Sequence, residues 1–575
     1  MVTTLLVANR GEIARRIFRT ARRMNMRTVA VYSDADANEP FVREADVALR
    51  IGPPPAAESY LDIERVITAA REAEADLVHP GYGFLAESPK ALAQRARVPV
   101  LPGYMDADQR DEAFIAAATR IGYPVMVKPV AGGGGIGMLR VREPSALQDA
   151  LAKSRRIASA SFGDERLMLE KLVERPRHVE VQLLADTHGQ IFALGERDCS
   201  TQRRHQKILE ETPAPSLEDA QRKALAEAAI AIAREAKYTN AGTAEFIVDA
   251  KGRFAFLEVN ARLQVEHPVT ELVWDIDLVE QQLRVAMGER LSLREPAPRG
   301  HAIEVRLYAE DVEGGFLPAT GRIAHIRWPE GIRVDAGYEE GSTVTRHYDP
   351  LIAKLIAHGP HRKLALAKLC EALAQMEVLG VRTNLRFLRA LTAHDGIQKG
   401  KSDTEFVKRS FEELVPERPA APDEAYVLAA ATVIAGARDP RDPWTSLGPW
   451  RLGEGYASTV TLREGDAERM VRLTGRGPYE LNGHVAVRSQ AEPHEWNVEL
   501  TIGSEVAAPM PGVVIALQTK PDQKVRRGDL LFVVEAMKME LRVEAPADGV
   551  VRKVLASVGQ QVERGQRLAE FEPQS

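Results

Sequence analysis

A half-domain written twice in residues 508–568 constrains this chain more than any other feature. Ala508-Pro509-Met510-Pro511-Gly512-Val513-Val514 returns as Ala545-Pro546-Ala547-Asp548-Gly549-Val550-Val551. Val525-Arg526-Arg527-Gly528-Asp529-Leu530 returns as Val562-Glu563-Arg564-Gly565-Gln566-Arg567, and both pairs are offset by 37 residues. β-Branched residues broken by Gly and Pro and repeated at so short a period predict two interlocked sets of strands. In the first copy, 530–534 and 541–543 read as strands on either side of Glu535-Ala536-Met537-Lys538-Met539-Glu540. The tip of that tight turn presents Lys538 to solvent. Most turn lysines are only solvated cations; the repeat and the flanking methionines set this one apart.

The chain has 575 residues, 45% hydrophobic and 27% charged, enough for about three to five domains with cores of their own. A net charge of −6 points to neither nucleic acid nor an anionic membrane. Two cysteines, Cys199 and Cys370, make no disulfide framework and suit a reducing cytosol. The N-terminus enters a strand directly, without signal or transit features, and no stretch is apolar for a membrane span. A cytoplasmic protein is the expectation.

Residues 1–88 alternate strand and helix. Residues 4–8 form an apolar strand, Gly11 marks its turn, and 12–23 repeats Ile13, Ile17 and Ala21 at helical spacing. Further strands at 28–32 and 76–79 imply a doubly wound parallel sheet. A glycine-rich loop, Gly132-Gly133-Gly134-Gly135-Ile136-Gly137, lies between strand-like runs at 123–129 and 138–141. Consecutive glycines expose N–H groups that can wrap phosphate oxygens. Lys128 precedes them, so this is not a Walker loop. Taken alone, such a run reads equally as a surface hairpin.

Downstream clusters add weight. They are Glu170-Lys171-Leu172-Val173, His178-Val179-Glu180-Val181-Gln182, Glu196 to Lys207, Glu245-Phe246, and Leu257 to Thr270. Acids on a strand pair, Glu245 and Glu258 with Asn260, fit the few-carboxylate preference of Mg²⁺ between phosphates. Residues 418–422 read as a linker, 424–437 as an alanine-rich helix, and 457–462 and 468–473 as strands of a small antiparallel barrel or sheet.

Together the motifs of residues 1–415 resemble the ATP-grasp biotin carboxylase family, and 508–568 resembles the biotinyl (biotin carboxyl carrier) domain. The lipoyl domain shares that fold, but its lysine usually follows a small or acidic residue, whereas Met537 and Met539 flank Lys538. The whole chain resembles the α subunit of an acyl-CoA carboxylase. Residues 423–500 are similar in position and pattern to the β-subunit-binding domain of the methylcrotonoyl- and propionyl-CoA carboxylase type. The implied fold is a multidomain α/β ATP-grasp biotin carboxylase followed by a helix-plus-small-β-barrel domain and an all-β biotinyl (lipoyl-like) domain. The implied boundaries are a doubly wound domain at 1–103, a lid at 104–185, a catalytic domain at 186–415, the β-subunit-binding domain at 423–500 and the carrier at 503–573.

The resemblance also implies roles. Lys128, Gly132, Gly133, Gly134, Gly135 and Gly137 hold ATP phosphates. Glu170, Lys171 and Val173 hold the adenine side, with His178, Gln202 and His205 near the ribose. Glu245, Glu258 and Asn260 bind Mg²⁺ or Mn²⁺. Lys207, Arg262, Gln264 and the backbone of Val265 bind bicarbonate. Glu266 is the base, Arg333 stabilises the enolate form of biotin, and Lys538 carries biotin. Arg262 beside Glu266 is expected to lower that carboxyl's pKa. A biotin protein ligase and a carboxyltransferase β subunit acting on an acyl-CoA are the implied partners, in a hetero-oligomer without nucleic acid or membrane.

One departure stands out. After Ser88 the chain reaches Val98-Pro99-Val100-Leu101-Pro102-Gly103 through only nine residues. Roughly thirty residues of the family pattern, about one strand–helix unit with an ATP-site lysine, are absent. Ile136 also replaces the family's Lys or Arg. The shortening is either tolerated, an error in the gene sequence, or damaging to the carboxylase. The last leaves a biotin carrier and assembly subunit with an impaired ATP site as the alternative function.

Overall fold

The computed structural model describes residues 2–82, 98–106, 108–130, 137–291, 293, 298–416 and 423–436, then 457–464, 467–474, 485–488, 493–496, 499–500, 506–508, 512–536, 539–545, 548–563 and 566–573. The N-terminal unit is a four-stranded parallel sheet in the order Val47–Gly52, Arg27–Ser33, Thr4–Val7, Leu77–His79. Its central strand, Leu5-Leu6-Val7, is buried on both faces. Leu5 and Val7 pack with Ile13, Ile17 and Phe18 of the helix Gly11–Arg23, and Leu6 packs with Val29, Ile51 and Ala69. A central parallel strand needs that unbroken apolar run because helices cover both faces. Cover runs out at the edge: Val78, the register partner of Leu6, is 50% exposed, and Ile63 and Ile67 of the helix Ile63–Glu72 are exposed as well. Residues 83–97, which include Ser88 and Lys90, lie outside the described residues.

A smaller sheet in the order Gly103–Tyr104, Leu167–Lys171, Val125–Pro129, Leu139–Val141 packs against the helices Asp111–Ile121 and Leu147–Phe162 through Phe114, Val127, Leu151 and Leu169. The main frame is an eight-stranded sheet. Its order is Phe254–Asn260, Asn240–Val248, Arg177–Ala185, Ile191–Arg203, Gln206–Thr212, His301–Tyr308, Leu351–Gly359, Arg333–Ala336, and every neighbouring pair is antiparallel. One face is apolar. Val179, Val181, Ala244 and Phe246 pack on the helix Asp219–Glu235, and Val305, Leu307 and Leu355 belong to the cluster that includes the helix Arg362–Gln375.

In the middle segment the helix Asp423–Gly436 precedes the antiparallel pair Ala457–Glu464 and Ala467–Thr474 and a separate hairpin, Val485–Arg488 with Pro493–Trp496. Glu499–Leu500 adds a third strand beside Ala457–Glu464, and the other residues of the expected barrel lie outside the described set.

The C-terminal repeat maps onto strands. Gly512–Leu517 and Gly549–Val554 are one repeat-equivalent pair; Leu530–Ala536 and Arg567–Pro573 are another. Each copy lends strands to both of two four-stranded sheets, which enclose Val514, Phe532, Val551 and Leu568. Two copies that each expose half a core are stable only when interlocked. Ala536 and Met539 are register partners across the hairpin. Lys538 and Met537, between them, lie outside the described residues. Among the described residues no helix is long and apolar enough to cross a membrane.

Candidate active site

The second face of the eight-stranded sheet carries the charge. In Arg177–Ala185 the apolar residues Val179, Val181 and Leu183 point one way, so His178, Glu180 and Gln182 share the other. Register sets Glu180 opposite Arg197 on one neighbour and Glu245 on the other, with Glu245 in turn opposite Glu258. Four adjacent strands thus present three carboxylates and a guanidinium in one row.

Lys207, from Gln206–Thr212, reaches into this row. Its Nζ donates to Glu180 Oε2 at 2.6 Å, Glu266 Oε1 at 2.5 Å and Glu245 Oε1 at 3.2 Å. Arg197, with no exposed surface, donates to Glu180 Oε1 at 2.5 Å and Gln182 Oε1 at 2.7 Å. Arg306, on His301–Tyr308, donates to Glu266 Oε2 at 3.0 Å and Glu210 Oε1 at 2.6 Å. Glu266, also wholly buried, therefore sits between Lys207 and Arg306.

Burial opposes ionisation of Glu266, but Lys207, Arg306 and Arg197 outweigh it and hold the carboxyl well below the usual range. Burial likewise opposes ionisation of Glu245, and Lys207 and His178 overcome it. Burial alone would lower Lys207; Cys199 and the carboxylates around it raise it far above an ordinary lysine.

Glu245 is the hub of a second group. His178 Nε2 lies 2.8 Å from its Oε2, and Asn260 Nδ2 donates to its Oε1 at 2.8 Å. Gln264 Nε2 reaches the same oxygen at 3.2 Å. Ligand atoms of His178, Glu180 and Glu245 lie within 4.8 Å of one another. Glu258 is exposed on the edge strand Phe254–Asn260. A carboxylate whose pKa is pushed down by its cationic neighbours, backed by a second acid and an amide, supplies the hard oxygen donors that Mg²⁺ or Mn²⁺ takes; turning the Asn260 amide over offers its oxygen. The residues present fit the ion.

Four family models match in order: "Biotin carboxylase, N-terminal domain" over 1–98, "Carbamoyl-phosphate synthase L chain, ATP binding domain" over 86–294, "Biotin carboxylase C-terminal domain" over 304–409 and "Biotin-requiring enzyme" over 504–571. The chain is 38% identical to the mitochondrial methylcrotonoyl-CoA carboxylase subunit alpha of Rattus norvegicus, over 99% of this chain and 93% of that protein. It is 37% identical to the propionyl-CoA carboxylase alpha chain of Ruegeria pomeroyi over the full length of both. The chain belongs to the α subunits of biotin-dependent acyl-CoA carboxylases. An α subunit of this kind combines an ATP-grasp ligase, the biotin carboxylase, with a biotin carrier. Two solved structures are similar to the first part. Campylobacter jejuni biotin carboxylase covers 71% of this chain and 99% of its own, with TM-score 0.69 and 38% identity. The biotin carboxylase domain of Hydrogenobacter thermophilus 2-oxoglutarate carboxylase, solved with MgADP, ADP and bicarbonate, covers 73% and 100%, with TM-score 0.70 and 37% identity. The alignment with the rat subunit spans 667 positions, 92 more than the 575 residues here, so the α subunit lacks at least that many of the aligned positions.

In this α subunit most expected residues converge on the charged face. Lys207, His178, Gln202, Glu245, Asn260, Gln264 and Glu266 form one connected set, with Gln202 Nε2 3.4 Å from His178 Nδ1. Val265 is anchored by its carbonyl, which accepts from Lys354 Nζ at 3.0 Å. Lys128 and Glu170 are ion-paired across the smaller sheet. Burial lowers the Lys128 pKa against the opposing charge of Glu258. Lys171 donates to the carbonyls of Gly122 at 2.8 Å and Tyr123 at 2.9 Å, tying the end of its strand to the connection between the helix Asp111–Ile121 and the strand Val125–Pro129. Val173 follows that strand, and His205 is exposed at the hairpin turn with a φ of 70°. Gly137 has a φ of 74°, and a Cβ there would stand 2.9 Å from Pro129 Cγ, so the loop's last glycine is required. Gly132, Gly133, Gly134, Gly135 and Ile136 lie outside the described residues.

Two arginines stand apart from expectation. Arg262 donates to Gln264 Oε1 at 3.2 Å and Leu263 O at 3.3 Å, and the charges that chiefly depress Glu266 are Lys207, Arg306 and Arg197. Arg333 is clamped to Glu271 at 2.8 Å and Asp335 at 2.7 Å, sharing Glu271 with Arg16 of the N-terminal helix. Arg306 is the arginine that touches Glu266 from its own strand. Sequence reasoning assigned no role to Arg306, Glu180, Arg197 or Glu210. For Arg306 the signal was charge at alternate positions of a strand whose other positions are apolar, Ile303-Glu304-Val305-Arg306-Leu307; Arg197, between Glu196 and Asp198, and Glu210, beside Glu211, carry no such pattern.

Proposed function

We propose that this chain uses ATP and bicarbonate to carboxylate biotin on Lys538, and that a separate carboxyltransferase β subunit moves the carboxyl to an acyl-CoA of the methylcrotonoyl, geranyl or propionyl class. The observation that carries the site assignment is Glu266, fully buried and held ionised between Lys207 and Arg306. Lys128, the loop glycines and Gly137 take the ATP phosphates. Glu170, Lys171 and Val173 take the adenine side, and His178, Gln202 and His205 the ribose side. Glu245, Glu258 and Asn260 would hold Mg²⁺ or Mn²⁺, which supplies neutralisation of phosphate charge.

Bicarbonate becomes a good nucleophile only when its second proton leaves. Glu266 already stands in the form that accepts one. Its cationic neighbours make it a weak base until an anion arrives. Bicarbonate docking beside Lys207, Arg262, Gln264 and the Val265 backbone cancels part of that field and raises the proton affinity of Glu266. Arg333 stabilises the enolate form of biotin, while Arg306 holds Glu266 from its own strand. A biotin protein ligase loads Lys538, residues 423–500 bind the β subunit, and the hetero-oligomer works in the cytoplasm.

Glu266→Gln keeps the shape and removes the base. Bicarbonate-dependent ATP hydrolysis with free biotin is expected to fall by about 10²-fold or more; retention of the rate removes Glu266 from the role. Lys538→Arg keeps the charge and removes the acylatable amine. Intact mass and streptavidin blotting after co-expression with a biotin ligase should show biotin on the unaltered chain alone, and biotin on the arginine variant refutes the attachment site.

A further inference from the structure

Beneath the site lie two acids that the reaction as described does not use. Glu210 and Glu304 are directly opposite one another on adjacent strands, and neither has exposed surface. Glu210 Oε1 accepts from Arg306. The other three oxygens of the pair, Glu210 Oε2 and both of Glu304, are buried without a hydrogen-bond partner. Side chains at opposite register positions face each other at close range. Two ionised carboxylates do not persist so close together in a dry interior, and a proton between them satisfies two of the three orphan oxygens at once.

We propose that Glu210 and Glu304 share a single proton and, through Arg306, tune the base Glu266. The inference rests on the reading of Glu266 given above. Arg306 is the link: its guanidinium is held by Glu210 on one side and Glu266 on the other. While the pair keeps its proton, the guanidinium field falls mainly on Glu266. When the proton leaves, the added negative charge competes for Arg306, and Glu266 becomes more basic. The other charged groups acting on the pair are Lys207 from the strand of Glu210 and Lys354 from the next strand. The helix His267–Trp274 packs on this face too, and its His267 is kept neutral by burial and by Lys354, Arg16 and Arg333. Burial pushes Glu210 up to about 7, and burial together with the charge of Glu210 pushes Glu304 well above a normal carboxyl. The pair is a positioning device: neither acid touches Glu266.

The test uses the full-length chain unaltered and as Glu304→Gln and Glu210→Gln. Infrared difference spectra between about pH 6 and about pH 9 read the carbonyl stretch of a protonated buried carboxyl without needing turnover. The unaltered chain should show this band, lost on alkalinisation; Glu304→Gln, whose amide donates to an ionised Glu210, should lack it, and Glu210→Gln, which leaves Glu304 buried, should keep it to higher pH. A band unchanged in Glu304→Gln overturns the shared proton. The second readout is kcat/KM for bicarbonate against pH. A glutamine amide is neutral at every pH and donates to Glu210, so Glu304→Gln should move the profile's neutral-range midpoint acidward by about one pH unit. A rate lowered equally at all pH values, with the midpoint unmoved, is the mark of a merely structural role and overturns the tuning. If Glu266→Gln leaves bicarbonate-dependent turnover intact, the base assignment fails while the infrared result still stands or falls by itself.

Discussion

Inserting a family-like strand–helix unit of roughly thirty residues after Ser88 is expected to raise bicarbonate-dependent ATP hydrolysis about a hundredfold or more. Two physical deficits lie behind this. The family pattern carries an ATP-site lysine in that unit, and losing a charge-assisted contact to a transferring phosphate costs a few kcal/mol, on the order of 10² in rate. The sheet is also left with an uncovered edge. Leu6 is fully buried at the centre while its register partner Val78 is half exposed. The families matched at 1–98 and 86–294 overlap where the shortening falls. The measurement is steady-state turnover with free biotin for the chain with and without the insert. Equal rates would show the unit to be dispensable, and the alternative function, a carrier and assembly subunit with an impaired ATP site, would lose its support.

Lys207→Met should damage both fold and reaction. The lysine lies between Glu180, Glu245 and Glu266, two of them without exposed surface. Removing one partner of a buried ion pair typically costs ~3–5 kcal/mol because the other charge is left uncompensated. At a few degrees per kcal/mol, the carboxylase transition should move down by about 10 °C. The loss should depend on pH in a definite direction. Without Lys207 the buried carboxylates bind protons more tightly folded than unfolded, so their folded pKa values rise above the unfolded ones. Stability of the variant therefore falls as pH rises from about 5 to about 8, opposite to the unaltered cage, whose depressed carboxyls lose stability only in acid. Calorimetric scans across that range check both size and slope; equal melting temperatures at every pH would dismiss the cage as a stabilising unit.

Local features were legible. The doubled half-domain predicted interlocked strands, and the 37-residue offset carries Gly512–Leu517 onto Gly549–Val554. Apolar runs gave away the parallel strands near the N-terminus, because a strand covered on both faces must be apolar throughout. The segment Glu258 to Glu266 was readable as chemistry because its polar residues are neighbours in the chain. The Asn260, Gln264 and Glu266 set does converge with Lys207.

The sequence by itself thus determined the family and the contiguous motifs, since these depend on residues a few positions apart. Only the tertiary structure decided which arginine faces Glu266. Arg306 stands 40 positions later and arrives through a strand pairing that no local propensity specifies. Arg333 carries the same charge, yet Glu271, Asp335 and Arg16 hold it elsewhere. The pairing of Glu210 with Glu304 likewise exists only in register. Strand order is set by burial of the apolar face, and the charged face inherits its partners from that choice.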